Sequence, residues 1–166
     1  MNQDYLKELF SYDDGWLYWK VDKGLKRLTG KKAGSIQKIT GYWRVKIDGK
    51  EYLLHRLIFL YHHGFLPEYL DHINGNPLDN RIENLRKATI SQNGFNTRKY
   101  KNNKSGVKNV FWYSRAQKWI ARIRVNGKNV FHQQCDTVEE AEALLKEVRH
   151  KYHGEFANDG KTKEAL

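Results

Sequence analysis

Cysteine occurs once in this chain, at Cys135, which excludes an internal disulfide and any cysteine-rich zinc site. Long apolar runs are missing as well: no stretch approaches the roughly 20 residues that a membrane span needs. The opening MNQDYLKELF has neither the basic start nor the apolar stretch of a secretion signal. These absences predict a soluble, cytoplasmic-type protein that is not secreted and has no membrane partner. A core is nevertheless within reach, because 39% of the 166 residues are hydrophobic and five Trp and ten Tyr are among them. That composition excludes wholesale disorder, and the length suits one domain or two small ones.

The most informative absence is of acid. Between Glu83 and Asp136 there is no Asp or Glu, while Lys and Arg recur from Arg86 to Lys128, and the net charge is +11. A solvated face mixes signs, so a one-signed interval points to a polyanion, most simply nucleic acid. A generally basic protein is the plainer alternative. A membrane surface fits less well, because the basic residues follow no amphipathic-helix period.

Up to about Leu54 the pattern reads as short strands broken by turns. WLYWKV (16–21) and YWRVKI (42–47) alternate apolar and polar positions, and Asp48-Gly49 turns the second into a hairpin. HRLIFLYHHG (55–64) has the spacing of a short buried helix stopped by Gly64. Leu70–Ile73 and Leu85–Ala88 read as strands around an irregular loop, followed by a helix through Asn93 capped by Thr89 or Ser91. KYKNNKSG (99–106) is polar, positive and the best linker. VKNVFWY, KWIARIRV and NVFHQQ then alternate as three strands, the last two joined by Asn126-Gly127. A final helix opens on a capping box, Thr137 with Glu140, and carries Ala141, Leu144, Leu145, Val148 and Tyr152 on one stripe. Laid on three strands, it leaves one sheet face free, with Lys118, Arg122 and Arg124 alternating with Trp119, Ala121 and Ile123.

The stretch DHINGNPLDNRIENLR (71–86) sets an acid beside a histidine and follows them with four asparagines in a short span. Asn-Gly and Asn-Pro are strong turn formers, so a polar loop is the plainer reading, and Asn74, Asn76 and Asn80 suit it. The sharper reading is a site for phosphodiester hydrolysis. Such a bond needs its charge neutralised and its leaving oxygen stabilised, which a hard divalent ion does. Mg²⁺ is commonly held by one or two protein oxygens with water and phosphate completing the shell. Asp71 offers a carboxylate, Asn93 an amide oxygen, and His72 a base with a near-neutral pKa. Asn84 can hold that ring in one orientation. Adjacent strand residues point to opposite faces, so Asp71 and His72 can share a pocket only at an irregular or terminal strand position.

These residues resemble the HNH nucleases, in particular the phage and intron-encoded homing branch, from HRLIF through LDHINGNPLDNRIENLR to ATISQN. The resemblance implies a ββα-metal (His-Me finger) core at about 69–97 within a nuclease domain of 1–98. By it Asp71 and Asn93 are the metal ligands, His72 the general base and Asn84 the residue that positions it. Many members have a second metal-binding His where this chain has Asn93, and an oxygen ligand suits Mg²⁺, with Mn²⁺ as the substitute, better than Zn²⁺. His55 takes a structural or phosphate-contacting role on this reading, and His62 and His63 stabilise the end of their helix. Arg81 and Arg86 stand beside the centre as phosphate clamps or as a solvated face.

The last segment, in SGVKNVFWY, KWIARIRVNGK and DTVEEAEALL, resembles the plant ethylene-response-factor (Apetala) type of DNA-binding domain, expected at 106–157. It would follow a basic linker at 99–105 and leave a tail at 158–166. That family sets its sheet in the major groove, which implies contacts from Lys108, Arg122 and Arg124 with Trp112 or Phe131 assisting; Arg98, Lys101 and Lys104 would hold backbone. Gln133 stands where a Gly is usual and Arg122 where an acid is, so the target sequence does not carry over. Together these readings predict an α+β, metal-dependent endonuclease, monomeric, nicking double-stranded DNA and, if phage-encoded, working in the host cytoplasm. The rival is a non-catalytic DNA-binding protein or regulator. RNA fits less well, because its deep, narrow major groove does not admit a sheet.

Overall fold

The chain starts with a helix, α1 (Gln3–Leu9), where the sequence pattern suggested only strands. Asn2 caps it by accepting from the Tyr5 backbone N–H at 3.0 Å, and Leu6 and Leu9 are buried on one side. The structure, a computed structural model, describes residues 1–100 and 102–160. It falls into two compact units dividing between Lys87 and Ala88.

In the first unit β1 (Phe10–Asp13) and β2 (Trp16–Trp19) form an antiparallel hairpin. A second antiparallel sheet has the order β3 (Ser35–Ile36), β4 (Trp43–Ile47), β5 (Lys50–Leu53). Its β4–β5 turn is Asp48-Gly49, both at positive φ, as the dipeptide predicts. Helix α2 (Leu54–His63) stops at Gly64, whose φ of 75° is open to glycine without cost. Its Leu54, Leu57 and Ile58 meet Leu6, Phe10, Leu17, Val45 and Ile47 in one core from which water is excluded. Arg56 on α2 then reaches the backbone oxygens of Pro67 and Glu68 at 3.0 and 3.2 Å. That brace fixes the entry to β6 (Tyr69–His72), which pairs with β7 (Leu85–Ala88) as a two-stranded sheet.

The second unit opens with α3 (Ile90–Phe95), capped reciprocally by Thr89 and Gln92. Its sheet has the order β10 (Lys128–Cys135), β9 (Lys118–Val125), β8 (Val110–Tyr113), and α4 (Val138–His153) lies across it. Val110, Ala121, Ile123 and Cys135 pack on Ala141 and Leu145 of α4 in a second core. The Asn126-Gly127 turn has both residues at positive φ, as expected.

The span expected as a linker is folded into this unit. Lys99 N–H donates to the Gly160 carbonyl at 3.3 Å, Asn103 Nδ2 to Val107 O at 2.9 Å, and Ser105 Oγ to Val110 O at 2.9 Å. The start of the expected tail is anchored too. Asn158 is buried and donates to both Asn96 oxygens, at 3.1 and 2.8 Å. Polarity suggested a linker, but the polar groups are spent on closing turns. Lys101 and residues 161–166 lie outside the described residues.

Candidate active site and basic sheet

Asp71 and His72 are both buried, 6% and 7% exposed, at the end of β6. His72 is the last strand residue: its carbonyl accepts from Gly75 N at 2.8 Å, while Ile73 N goes to Asn84 O at 2.9 Å. The strand therefore stops at the position where the sequence demanded an irregularity.

The asparagines beyond it form a knot. Asn74 Oδ1 accepts from Asn76 N at 2.8 Å and from Asn84 Nδ2 at 3.1 Å, and Asn74 Nδ2 donates to Asp79 at 2.8 Å. Asn84 Oδ1 accepts from Asn74 N at 3.0 Å, and Asn84 Nδ2 donates to Asp79 O at 2.7 Å. Asn84 thus holds the loop that carries the histidine. The side chain beside the ring is that of Asn80, whose Oδ1 is 3.1 Å from His72 Nε2. Asn80 is 3% exposed, so it does more than form a turn. No spacing rule separates Asn80 from Asn84; only the fold shows which one faces the ring.

His72 is packed in a group of rings. His55, in the first turn of α2, lies 5.1 Å from it edge to face, and Tyr42 lies 5.3 Å from His55 and 6.3 Å from His72. Burial lowers the pKa of both histidines, that of His55 to about 3, with the neighbouring His72 and Arg56 adding to the effect on His55. Both rings are neutral near pH 7. His62 lies edge-on to Tyr12 at 4.4 Å and His63 tilts against Phe59 at 4.2 Å.

Both arginines near the centre hold carboxylates. Arg86 Nε donates to Asp71 Oδ2 at 2.9 Å and its Nη2 lies 2.8 Å from the same oxygen, both side chains being largely buried. Arg81 grips Asp79 through Nε at 2.9 Å and Nη2 at 2.8 Å, which pulls the Asp79 carboxyl below its usual range. Among the described residues no group of three or more His, Cys, Asp or Glu could hold a metal. Asp71 is a buried carboxylate, a hard oxygen donor of the kind that a Mg²⁺-like ion takes while keeping most of its water. Asn93, the other expected ligand, is half-buried on α3 of the second unit.

In the second unit alternation sorts the expected DNA contacts. Cross-strand partners share a face, so Ala121 and Ile123 against α4 carry with them Val110, Phe131 and Cys135. Trp112 pairs with Trp119 on that same side, 5.1 Å ring to ring, and Phe131 packs there too. Neither belongs to the face away from α4, although Trp112 is 44% exposed. That face carries Arg122 and Arg124 with Phe111 and Tyr113 from β8 and His132 from β10. Arg122 lies over the Phe111 ring at 4.5 Å, a contact the sequence did not single out. Lys118 is also there, paired with Asp136.

Lys108, another expected contact, is buried. It is 7% exposed, and its ammonium donates to the carbonyls of Phe95 and Thr97, each at 2.6 Å, and of Asn158 at 3.2 Å. Burial, reinforced by Arg149, brings its pKa down to about 8. It ties the end of α3 to Thr97 and Asn158, with its ammonium spent on these carbonyls. Arg98 and Lys104 are exposed.

Residues 52–95 match the family model described as HNH endonuclease. The match spans β5, α2, the asparagine knot and α3, and does not reach the C-terminal sheet. The chain is 35% identical over 89 residues to Protein 3.8 of Escherichia phage T7, an alignment covering 54% of this chain and 73% of that protein. It is 33% identical over 120 residues to an Acanthamoeba polyphaga mimivirus protein named as an uncharacterized HNH endonuclease, covering 70% of this chain and 62% of the relative. No solved structure matches. Among the described residues no helix is long and apolar enough to cross a membrane.

Proposed function

The chain belongs to the HNH endonuclease family through residues 52–95, and from that premise we propose that it is a metal-dependent endonuclease of the homing type that nicks double-stranded DNA. The observation that carries this reading is the pair Asp71 and His72, buried side by side at the end of β6, with Asn80 Oδ1 3.1 Å from the His72 ring.

Asn80 Nδ2 donates to Leu78 O at 3.4 Å, which turns its Oδ1 toward the ring. His72 Nε2 then carries the proton and Nδ1 the lone pair. In the proposed reaction Nδ1 takes a proton from water as the water oxygen attacks phosphorus. Asn84 keeps the loop, and with it the ring, in place. Asp71 and Asn93 would hold one divalent ion, Mg²⁺ or Mn²⁺. When bound, that ion neutralises a phosphate oxygen and stabilises the departing 3′ oxygen. One centre cuts one strand, so a monomer nicks.

In the proposed complex Arg122 and Arg124 on the sheet, with Arg98 and Lys104, grip the duplex, as the resemblance to the ethylene-response-factor domains suggests. Lys101, by sequence, joins them. Affinity from such contacts falls steeply with salt. A plasmid-nicking assay with Mg²⁺ and with EDTA tests the reading: open circles form only with the metal, and His72→Ala slows their formation at least about 10²-fold.

One observation favours a second reading, a non-catalytic DNA-binding protein. The Asp71 carboxylate is already neutralised by Arg86 at 2.8 Å, as in a structural ion pair. Duplex binding without cleavage under Mg²⁺ or Mn²⁺ would establish it.

A further inference from the structure

We propose that the second unit carries a pocket for a single unstacked nucleotide, separate from the cutting centre. A cavity of about 280 Å³ lies among α3, the arginine-bearing face of the sheet and the C-terminal end of α4. Phe95 of α3, Phe111, Arg122 and Arg124 of the sheet, Asn109 and His153 line it. Its volume sits near the lower end for small-ligand sites, enough for one nucleotide unit and too small for a base pair.

The polar groups divide by depth. His153 is 6% exposed, one ring face is covered by Phe95 stacked at 3.9 Å and 8°, and neither ring nitrogen has a hydrogen-bond partner. Asn109 Oδ1 is likewise buried without a partner, on a residue held at a φ of 70°. Buried polar atoms are normally satisfied, and two unsatisfied groups lining one cavity call for a ligand that satisfies both. Burial, with Lys108 and Arg149 adjacent, lowers the His153 pKa to about 4, so the ring presents one donor and one acceptor.

A neutral imidazole and an amide do not compensate an anion; they match the mixed donor and acceptor edge of a nucleobase. Charge is at the mouth, where Arg122 over Phe111 and the exposed Arg124 suit a phosphate. Base inside and phosphate outside is the arrangement of a nucleotide that has left its stack. The pocket opens from Ser91, Gly94 and Phe95 of α3, while Asn93 lies on the opposite side of that helix. The proposal rests on the nuclease reading only for where the unpaired nucleotide comes from.

The test uses the full chain and a ladder of probes: inorganic phosphate, dTMP, a short oligo-dT strand and a duplex. In long-range proton–nitrogen NMR spectra, the imidazole signals of His153 move with dTMP and with oligo-dT, and not with phosphate alone. His153→Phe keeps the stack on Phe95 and removes both nitrogens; it weakens oligo-dT binding about tenfold without lowering the melting temperature. Arg124→Gln weakens oligo-dT and leaves the His153 signals of the free protein in place. Unmoved His153 signals at saturating dTMP overturn the proposal, as do equal shifts with phosphate, and neither result needs a variant to fold. Plasmid nicking by the wild type is scored separately. Nicking without dTMP binding sinks the pocket alone, and dTMP binding without nicking sinks the nuclease reading alone.

Discussion

Arg86 holds Asp71 from the paired strand, Nη2 to Oδ2 2.8 Å, with both side chains largely buried. The carboxylate proposed to bind a metal therefore already has a counter-charge. Removing one partner of a buried pair strands the other and costs about 3–5 kcal/mol. Arg86→Ala should lower the urea midpoint of the first unit accordingly. Millimolar Mg²⁺ should restore part of the loss and raise the midpoint of this variant more than that of the wild type. Unchanged stability, or no extra response to the ion, goes against the placement of the metal.

Asn80 and Asn84 should separate in experiment. Asn84→Ala deletes bonds to Asn74 N, Asn74 Oδ1 and Asp79 O, each worth about 1 kcal/mol. A loss of about 2–3 kcal/mol in denaturant titration is expected. Asn80→Ala deletes the contact to the His72 ring, so cleavage should slow about tenfold, as orienting contacts to a base do, with a smaller change in stability. The reverse ranking would give Asn84 the role on the ring.

Lys108 and Arg124 make a matched pair of tests. Arg124→Gln should weaken DNA binding on any sequence and reduce the salt slope by about one. Lys108→Ala leaves the carbonyls of Phe95, Thr97 and Asn158 without their donor. It should destabilise the second unit and leave the salt slope where it was. A reduced slope in the lysine variant would return Lys108 to the DNA face.

Acid should loosen the second unit through His153. Its folded pKa, about 4, lies below the ordinary 6.5 because burial and the facing Lys108 and Arg149 oppose a charge there. Between those values the unfolded chain binds the proton and the folded one does not, so stability is full above pH 6.5 and falls as pH drops toward 4. At about 1.4 kcal/mol per pKa unit the loss reaches roughly 3 kcal/mol. His153→Phe should flatten that part of the profile, read by thermal melts across the range. A variant as acid-sensitive as the wild type would point to another group.

The nuclease motif was legible through its resemblance to the HNH nucleases, carried by HRLIF, LDHINGNPLDNRIENLR and ATISQN in that order. The boundaries of α2, β7 and α4 follow from Gly64, from Leu85–Ala88 and from the Thr137 cap. Other features depend on tertiary contacts. Helix α1 carries a cap and two buried leucines in only seven residues, too short a window for periodicity to speak. Lys99–Ser105 has the composition of a linker, and nothing local shows that its polar atoms close turns on Val107, Val110 and Gly160. Lys108 was indistinguishable by type from the lysines around it, since burial of a cation is decided by which carbonyls converge on it. The alternation on β9 was read correctly, but the face that Trp112 takes depends on the β8 register, which sequence does not supply.

The most direct measurement is the rate of open-circle formation from supercoiled plasmid by wild type and His72→Ala, each with Mg²⁺ and with EDTA. The account predicts nicking by the wild type with Mg²⁺, none with EDTA, and a rate at least about 10²-fold lower for the variant. Equal rates for the two proteins, or nicking that persists in EDTA, would contradict it.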